Sequence, residues 1–104
     1  MQEPLTPTLY YLLVALAAHP SGAYDLRDTI VNESHGTVTP TIRGIIIAAD
    51  KAITNKWVIA ASNTRPKLYS LTPAGKSALK TEAHRLSLAG TLGYQRLGEQ
   101  LGRR

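Results

Sequence analysis

The chain has 104 residues, 43% of them apolar, which is enough for one hydrophobic core and one domain. It contains no cysteine, so disulfides, thiolate zinc sites, iron–sulfur ligation and a cysteine nucleophile are excluded. The formal charge of +5 is unevenly placed, with −3 on residues 1–50 and +8 on residues 51–104. A basic half on so small a domain suits a polyanionic partner, most often nucleic acid, and suits a solubilising surface equally well.

Residues 1–7 carry Glu3 and no basic residue ahead of an apolar run, unlike a secretory leader. The longest near-apolar stretch, LYYLLVALAA from Leu9, is too short to span a bilayer. The expectation is a soluble cytoplasmic protein with no membrane partner. Pro4 and Pro7 bracket Leu5-Thr6, and Thr8 can cap a first, buried helix over residues 9–18, closed by His19-Pro20-Ser21-Gly22. A second, amphipathic helix is expected over residues 23–34, with Tyr24, Leu26, Ile30 and Val31 near one face and His35-Gly36 at its end. Val38-Thr39-Pro40-Thr41 reads as an extended approach to a third helix over about residues 42–55, in which Ile45, Ala48, Ala49 and Ala52 or Ile53 recur at helical spacing.

Trp57-Val58-Ile59 is β-prone, Ser62-Asn63-Thr64-Arg65-Pro66 is turn chemistry, and residues 67–71 alternate, so a hairpin follows. Thr72-Pro73 supplies the N-cap and first position of a last helix. That helix carries Leu79, Ala83, Leu86, Gly90, Gly93, Leu97 and Leu101 at a spacing near 3.5. Gly90 and Gly93 each cost about 1 kcal/mol inside a helix relative to alanine, so either the helix breaks near Gly90 or the glycines admit a close neighbour. One small domain cannot fully cover this stripe. A second copy is the natural lid, with Leu12, Leu13 and Leu16 sharing the portion before Gly90. The order helix, helix, helix, hairpin, helix is the winged helix-turn-helix arrangement, a mostly α fold with a small β-hairpin and a C-terminal dimerisation helix. Residues 1–71 form the DNA-binding region of that reading and residues 72–104 the dimerisation helix and tail, within one compact domain.

The strings LTPTLYYLLVALAAHPSGAYDL and RPKLYSLTPAGKSAL closely resemble the PadR-like transcriptional regulators. The specific parts are Leu5-Thr6-Pro7 leading into a tyrosine-rich helix, Tyr24-Asp25-Leu26, and Leu71-Thr72-Pro73-Ala74-Gly75, and the resemblance runs from residue 5 to about residue 86. It implies a cytoplasmic homodimer on double-stranded operator DNA. The third helix would enter the major groove, the hairpin wing would touch backbone or minor groove, and the last helix would pair the protomers. Many such proteins are repressors released by small molecules. The chain departs from the family where Ile46 replaces a tyrosine early in the third helix, where Lys56 replaces a glycine before the first strand, where Ala23 replaces a glycine before Tyr24, and in a short wing.

Within this reading, Arg43 is the best placed direct reader, because a guanidinium can bridge guanine O6 and N7. Thr39 and Thr41 can hold a phosphate at the helix entry, and Thr41 can cap the helix at the same time. If Ile45, Ala48, Ala49 and Ala52 face the core, Ile46 and Ile47 turn toward the groove, where they can pack on thymine methyl groups. The competing readings are a rotated helix with the isoleucines in the core or a patch for a protein partner. Packing of at least one is favoured, since aliphatic residues are far more often buried. Lys51 and Lys56, late in the helix, and Arg65 and Lys67, on the wing, can supply phosphate contacts.

Trp57 fits a core anchor better than a ligand platform, although stacking on a small aromatic or phenolic effector stays open if Trp57 or Tyr94 borders the dimer seam. Catalysis is not expected. His19, His35 and His84 are dispersed without metal spacing, Asp25 and Asp28 suit a helix N-terminus, and no nucleophile elbow, P-loop or dinucleotide fingerprint occurs, so no metal or cofactor is expected. The rival to a regulator is a winged-helix protein-interaction module, or a ligand sensor without specific DNA binding. Convergence of the basic residues with the third helix on one face would separate them.

Overall fold

A computed structural model describes residues 2–61, 63 and 67–98, so Arg65 and Leu101 lie outside the described residues. Helix α1 spans Pro7–Ala18 and begins two residues earlier than expected. Thr6, not Thr8, is its cap, with its Oγ1 accepting from the Leu9 N–H at 3.2 Å, and Pro7 sits at the first position, where a missing N–H costs nothing. Leu9, Leu12, Leu13, Ala15 and Leu16 are buried, making α1 the centre of the core.

Helix α2, Ala23–Glu33, buries Leu26 and Ile30. Tyr24 does not join them: it is 64% exposed, with the Arg27 guanidinium 5.6 Å from its ring centroid. Two residues are about 200° of helical turn, which places Tyr24 opposite Leu26. The chain leaves α2 through two left-handed residues, His35 (φ 54°) and Gly36 (φ 78°). Buried Ser34 organises this turn. Its Oγ accepts from the Val38 N–H at 3.0 Å, and its carbonyl accepts from Thr37 Oγ1 at 2.7 Å.

Helix α3, Ile42–Thr54, is capped by Thr41, whose Oγ1 accepts from the Gly44 N–H at 2.9 Å. It buries Ile45, Ala49 and Ala52 as the periodicity requires. Lys56 is not part of this helix. It lies beyond its end in the left-handed region (φ 66°), the conformation glycine adopts most easily. Trp57 is half-buried and packs against the core.

Strands β1 (Val58–Ala61) and β2 (Leu68–Leu71) pair antiparallel, with Val58 opposite Leu71 and Ala60 opposite Tyr69. The segment read as a plain turn after α1 adds a single-residue rung. Ser21 N–H donates to the Tyr69 carbonyl at 3.1 Å, and Tyr69 N–H donates back to Ser21 at 2.9 Å.

Helix α4, Pro73–Arg96, runs unbroken through Gly90 and Gly93, and a residue with φ 82°, Gly98, follows it. Among the described residues nothing lies within 4 Å of where a Cβ would stand on either Gly90 or Gly93, so no other described element approaches them. The face that α4 buries deepest is Gly75, Ala78 and Glu82, not the leucine stripe itself. Leu79 and Ala83 are half-buried, whereas Leu86 and Leu97 are exposed. Gly75 is where α4 docks. A Cβ there would collide with the Trp57 carbonyl oxygen and come within 2.6 Å of Leu71 Cδ1. The Leu71-Thr72-Pro73-Ala74-Gly75 string thus has a mechanical reason. Thr72 N–H donates to the Trp57 carbonyl at 2.9 Å, Thr72 Oγ1 donates to the Lys56 carbonyl at 2.7 Å, and Gly75 lets the helix close on the same strand entry. No helix of the described residues is long and apolar enough to cross a membrane.

Candidate nucleic-acid interface

The Ser34-centred turn sets α3 with Ile45, Ala49 and Ala52 inward, so the opposite side of the helix is open to solvent. Arg43 stands exposed on the first turn of α3, and among the described residues it makes no ion pair. Its guanidinium is therefore free to meet a partner. Thr39 and Thr41 are exposed at the helix entry, and Thr41 is already occupied as the cap. Ile46 is 41% exposed and Ile47 59%, whereas Ile45 is fully buried. The expectation that at least one of Ile46 and Ile47 packs in the core is therefore overturned. A helix turns about 100° per residue, so three consecutive isoleucines cannot share one face. Asp50, which sequence reasoning left unassigned, is exposed on the same outward side, one helical turn beyond Ile46. Lys51 in the last turn of α3 and Lys67, at the loop end of the hairpin just before β2, are exposed cations, as is Arg43.

Between the start of α2, the outer side of α3 and β2 lies a cavity of about 420 Å³ lined by Tyr24, Ile42, Ile46, Lys67 and Tyr69. Tyr69 is buried, and its hydroxyl has no hydrogen-bond partner among the described residues. Burial pushes this phenol above its ordinary range, and the Asp50 carboxylate adds to the shift, so the group remains a neutral donor. A second cavity of about 340 Å³ lies beside the contact between α1 and α3 and is lined by Thr8, Pro40, Gly44, Ile47 and Lys51.

Trp57 and Tyr94 are not brought together. Trp57 lines a cavity with the N-terminal segment and the end of α3, whereas Tyr94 is exposed in the second half of α4 and is not part of that lining. The second half of α4 also exposes Leu88 and Leu92, and Leu97 is exposed just past its end. Lys76, Lys80, Arg85 and Arg96 all lie on α4, so a large share of the basic charge sits away from α3.

Glu82 was legible in the sequence only as a charge. Its carboxylate is buried, accepting from the Leu5 N–H at 3.1 Å, from Arg85 Nε at 2.9 Å and from Arg85 Nη2 at 2.6 Å. Gln2 Nε2 donates to the Ala78 carbonyl at 3.2 Å alongside. The Arg85 hydrogen bonds, with help from Leu5, hold the Glu82 carboxyl below the usual range despite its burial. No signal short of the fold links residues so far apart. Among the described residues no group of three or more His, Cys, Asp or Glu side chains gathers to hold a metal ion.

Three helices, a two-stranded wing and a following long helix define a winged helix-turn-helix protein, the architecture of winged-helix transcriptional regulators. Solved structures share it. A transcriptional regulator from Clostridium thermocellum superposes with a TM-score of 0.75 at 14% identity, over 85% of this chain and 87% of that one. A candidate transcriptional regulator from Thermoplasma acidophilum gives 0.67 at 25% identity, over 88% and 90%. The transcriptional regulator BldR from Sulfolobus solfataricus gives 0.68 at 20% identity, over 94% and 65%. No protein-family model and no curated protein sequence matches the chain.

Proposed function

We propose that this chain is a sequence-specific DNA-binding transcriptional regulator of the PadR-like kind, a cytoplasmic homodimeric repressor released by a small-molecule effector. The observation that carries the DNA reading is the free, exposed Arg43 on the first turn of an α3 whose outer side is uncovered. The solved regulators of the same fold support it. In this reading Arg43 pairs with guanine O6 and N7, Ile46 and Ile47 contact thymine methyl groups, and Lys51, Lys67 and Arg65 meet phosphates, with Thr39 and the capping Thr41 beside them. Residues 1–71 are the DNA-binding region and residues 72–104 the dimerisation element. Exposed Leu86 and Leu97 support a second copy along α4, with Leu79 and Ala83 shared between core and seam; Leu101, outside the described residues, is assigned to the same seam from the sequence.

A second reading rests on one specific observation. Ile46 and Ile47 are exposed beside Asp50, which suits an apolar protein partner better than a polyanion.

Titration into labelled DNA from immediately upstream of its own gene, beside a scrambled duplex, at two salt concentrations separates the two. A preference of roughly 10³-fold or more with steep salt dependence is expected for an operator. Absence of binding at low salt transfers the assignment to the protein-interaction module.

A further inference from the structure

We propose that the cavity between the N-terminal segment and the end of α3 is a binding site for a zwitterionic aromatic α-amino acid. The link from this site to DNA binding rests on the function proposed above. The cavity, of about 400 Å³, is lined by Glu3, Leu5, Leu9, Lys51, Asn55 and Trp57. This volume falls within the range that holds small ligands. Its two charged groups are of opposite sign and are not paired with each other, since the ion pairs of the described residues are Arg27–Asp28 and Arg85–Glu82. The half-buried Trp57 indole N–H and the Asn55 side chain also lack partners among the described residues.

A ligand with one charge would satisfy Lys51 while repelling Glu3, or the reverse. A molecule carrying a carboxylate and an ammonium on one carbon satisfies both. Its aromatic side chain would lie against the indole of Trp57 and the apolar surface of Leu5 and Leu9. The wall that Glu3 belongs to is fixed, because Glu82 holds the Leu5 N–H and Ala78 holds Gln2. Lys51 belongs to both places: it lines this cavity and stands exposed on the last turn of α3. Occupancy therefore draws its ammonium away from a DNA phosphate, which gives the two ligands opposed demands on one side chain.

Trp57 is the only tryptophan, so its fluorescence reports the site directly. Titration of the full chain with L-phenylalanine should give a saturable change. Phenylacetate and phenethylamine, each lacking one of the charges, should bind about tenfold more weakly. Lys51→Gln should abolish the preference over phenethylamine, and Glu3→Gln the preference over phenylacetate. With operator DNA present, L-phenylalanine should weaken binding and lower the salt slope by about one.

No saturable change by about 10 mM, well above a Kd of ~1 mM, overturns the site, as do single-charge analogues that bind equally well. Binding that leaves DNA affinity untouched overturns the coupling through Lys51. A chain that binds L-phenylalanine but no DNA keeps the site and refutes the regulator reading. A chain that binds DNA but not L-phenylalanine does the opposite.

Discussion

The backbone N–H of Leu5 donates to the buried carboxylate of Glu82 at 3.1 Å, joining residues 77 positions apart in the chain. This contact fastens the N-terminal segment to α4, and Arg85 neutralises the charge that burial would otherwise penalise. Because the Glu82 carboxyl is held below its ordinary value of 4.5, its contribution to stability is complete above that pH and is lost as pH falls through the lower folded value. Glu82→Gln keeps an acceptor for Leu5 but loses the charge paired with Arg85. The variant should denature at lower urea than the parent at pH 7, and the gap should close as the pH is taken below 4.5. A gap independent of pH over that interval would show that the carboxylate charge is not the stabilising element.

Gly75→Ala tests the docking of α4 on the hairpin. Its Cβ would meet the Trp57 carbonyl oxygen, a backbone atom with no rotamer to escape into. The expected loss is about 1–3 kcal/mol, the range for overpacking a fitted site, read as a lower urea midpoint. Gly90→Ala, where none of the described residues lies within 4 Å, is the matched control and should stabilise by up to about 1 kcal/mol.

Lys56→Gly removes a side chain from a left-handed residue (φ 66°) while leaving its backbone hydrogen bonds intact. Relief of the steric cost should raise stability by about 1 kcal/mol in thermal or urea unfolding. If Lys56 also contacts a phosphate, DNA affinity should fall at the same time, with a salt slope lower by about one.

Arg43→Ala should leave folding unchanged, since the side chain is exposed and makes no ion pair among the described residues. In operator titrations it should cost ~1–3 kcal/mol and relax preference at one base position. Unchanged affinity for every operator variant would remove Arg43 from the reading surface.

Leu97→Glu tests the role of α4. Leu97 is 75% exposed within one chain, so the protomer should fold normally. Sedimentation should show a shift from dimer to monomer, because a buried unpaired carboxylate would sit in the seam.

Local chemistry wrote much of this architecture into the sequence. Thr72-Pro73 starts α4 as expected because a cap and a proline act within one turn. The spacing of Ile45, Ala49 and Ala52 set the inward side of α3 because helical period is a local property. Arg43 was legible for the same reason: once the inward side is known, the outward residues follow. Contacts between distant segments were not legible. The rung between Ser21 and Tyr69, the collision that makes Gly75 a glycine, and the bond from Leu5 to Glu82 all join residues with no shared periodicity. Tertiary structure likewise decided that α4 passes through two glycines unbroken, that Glu82 rather than a leucine faces inward, and that Trp57 shares a cavity with Glu3 and Lys51. Caps and periods are set by neighbours along the chain. Burial, pairing and cavities are set by whichever elements the fold brings alongside.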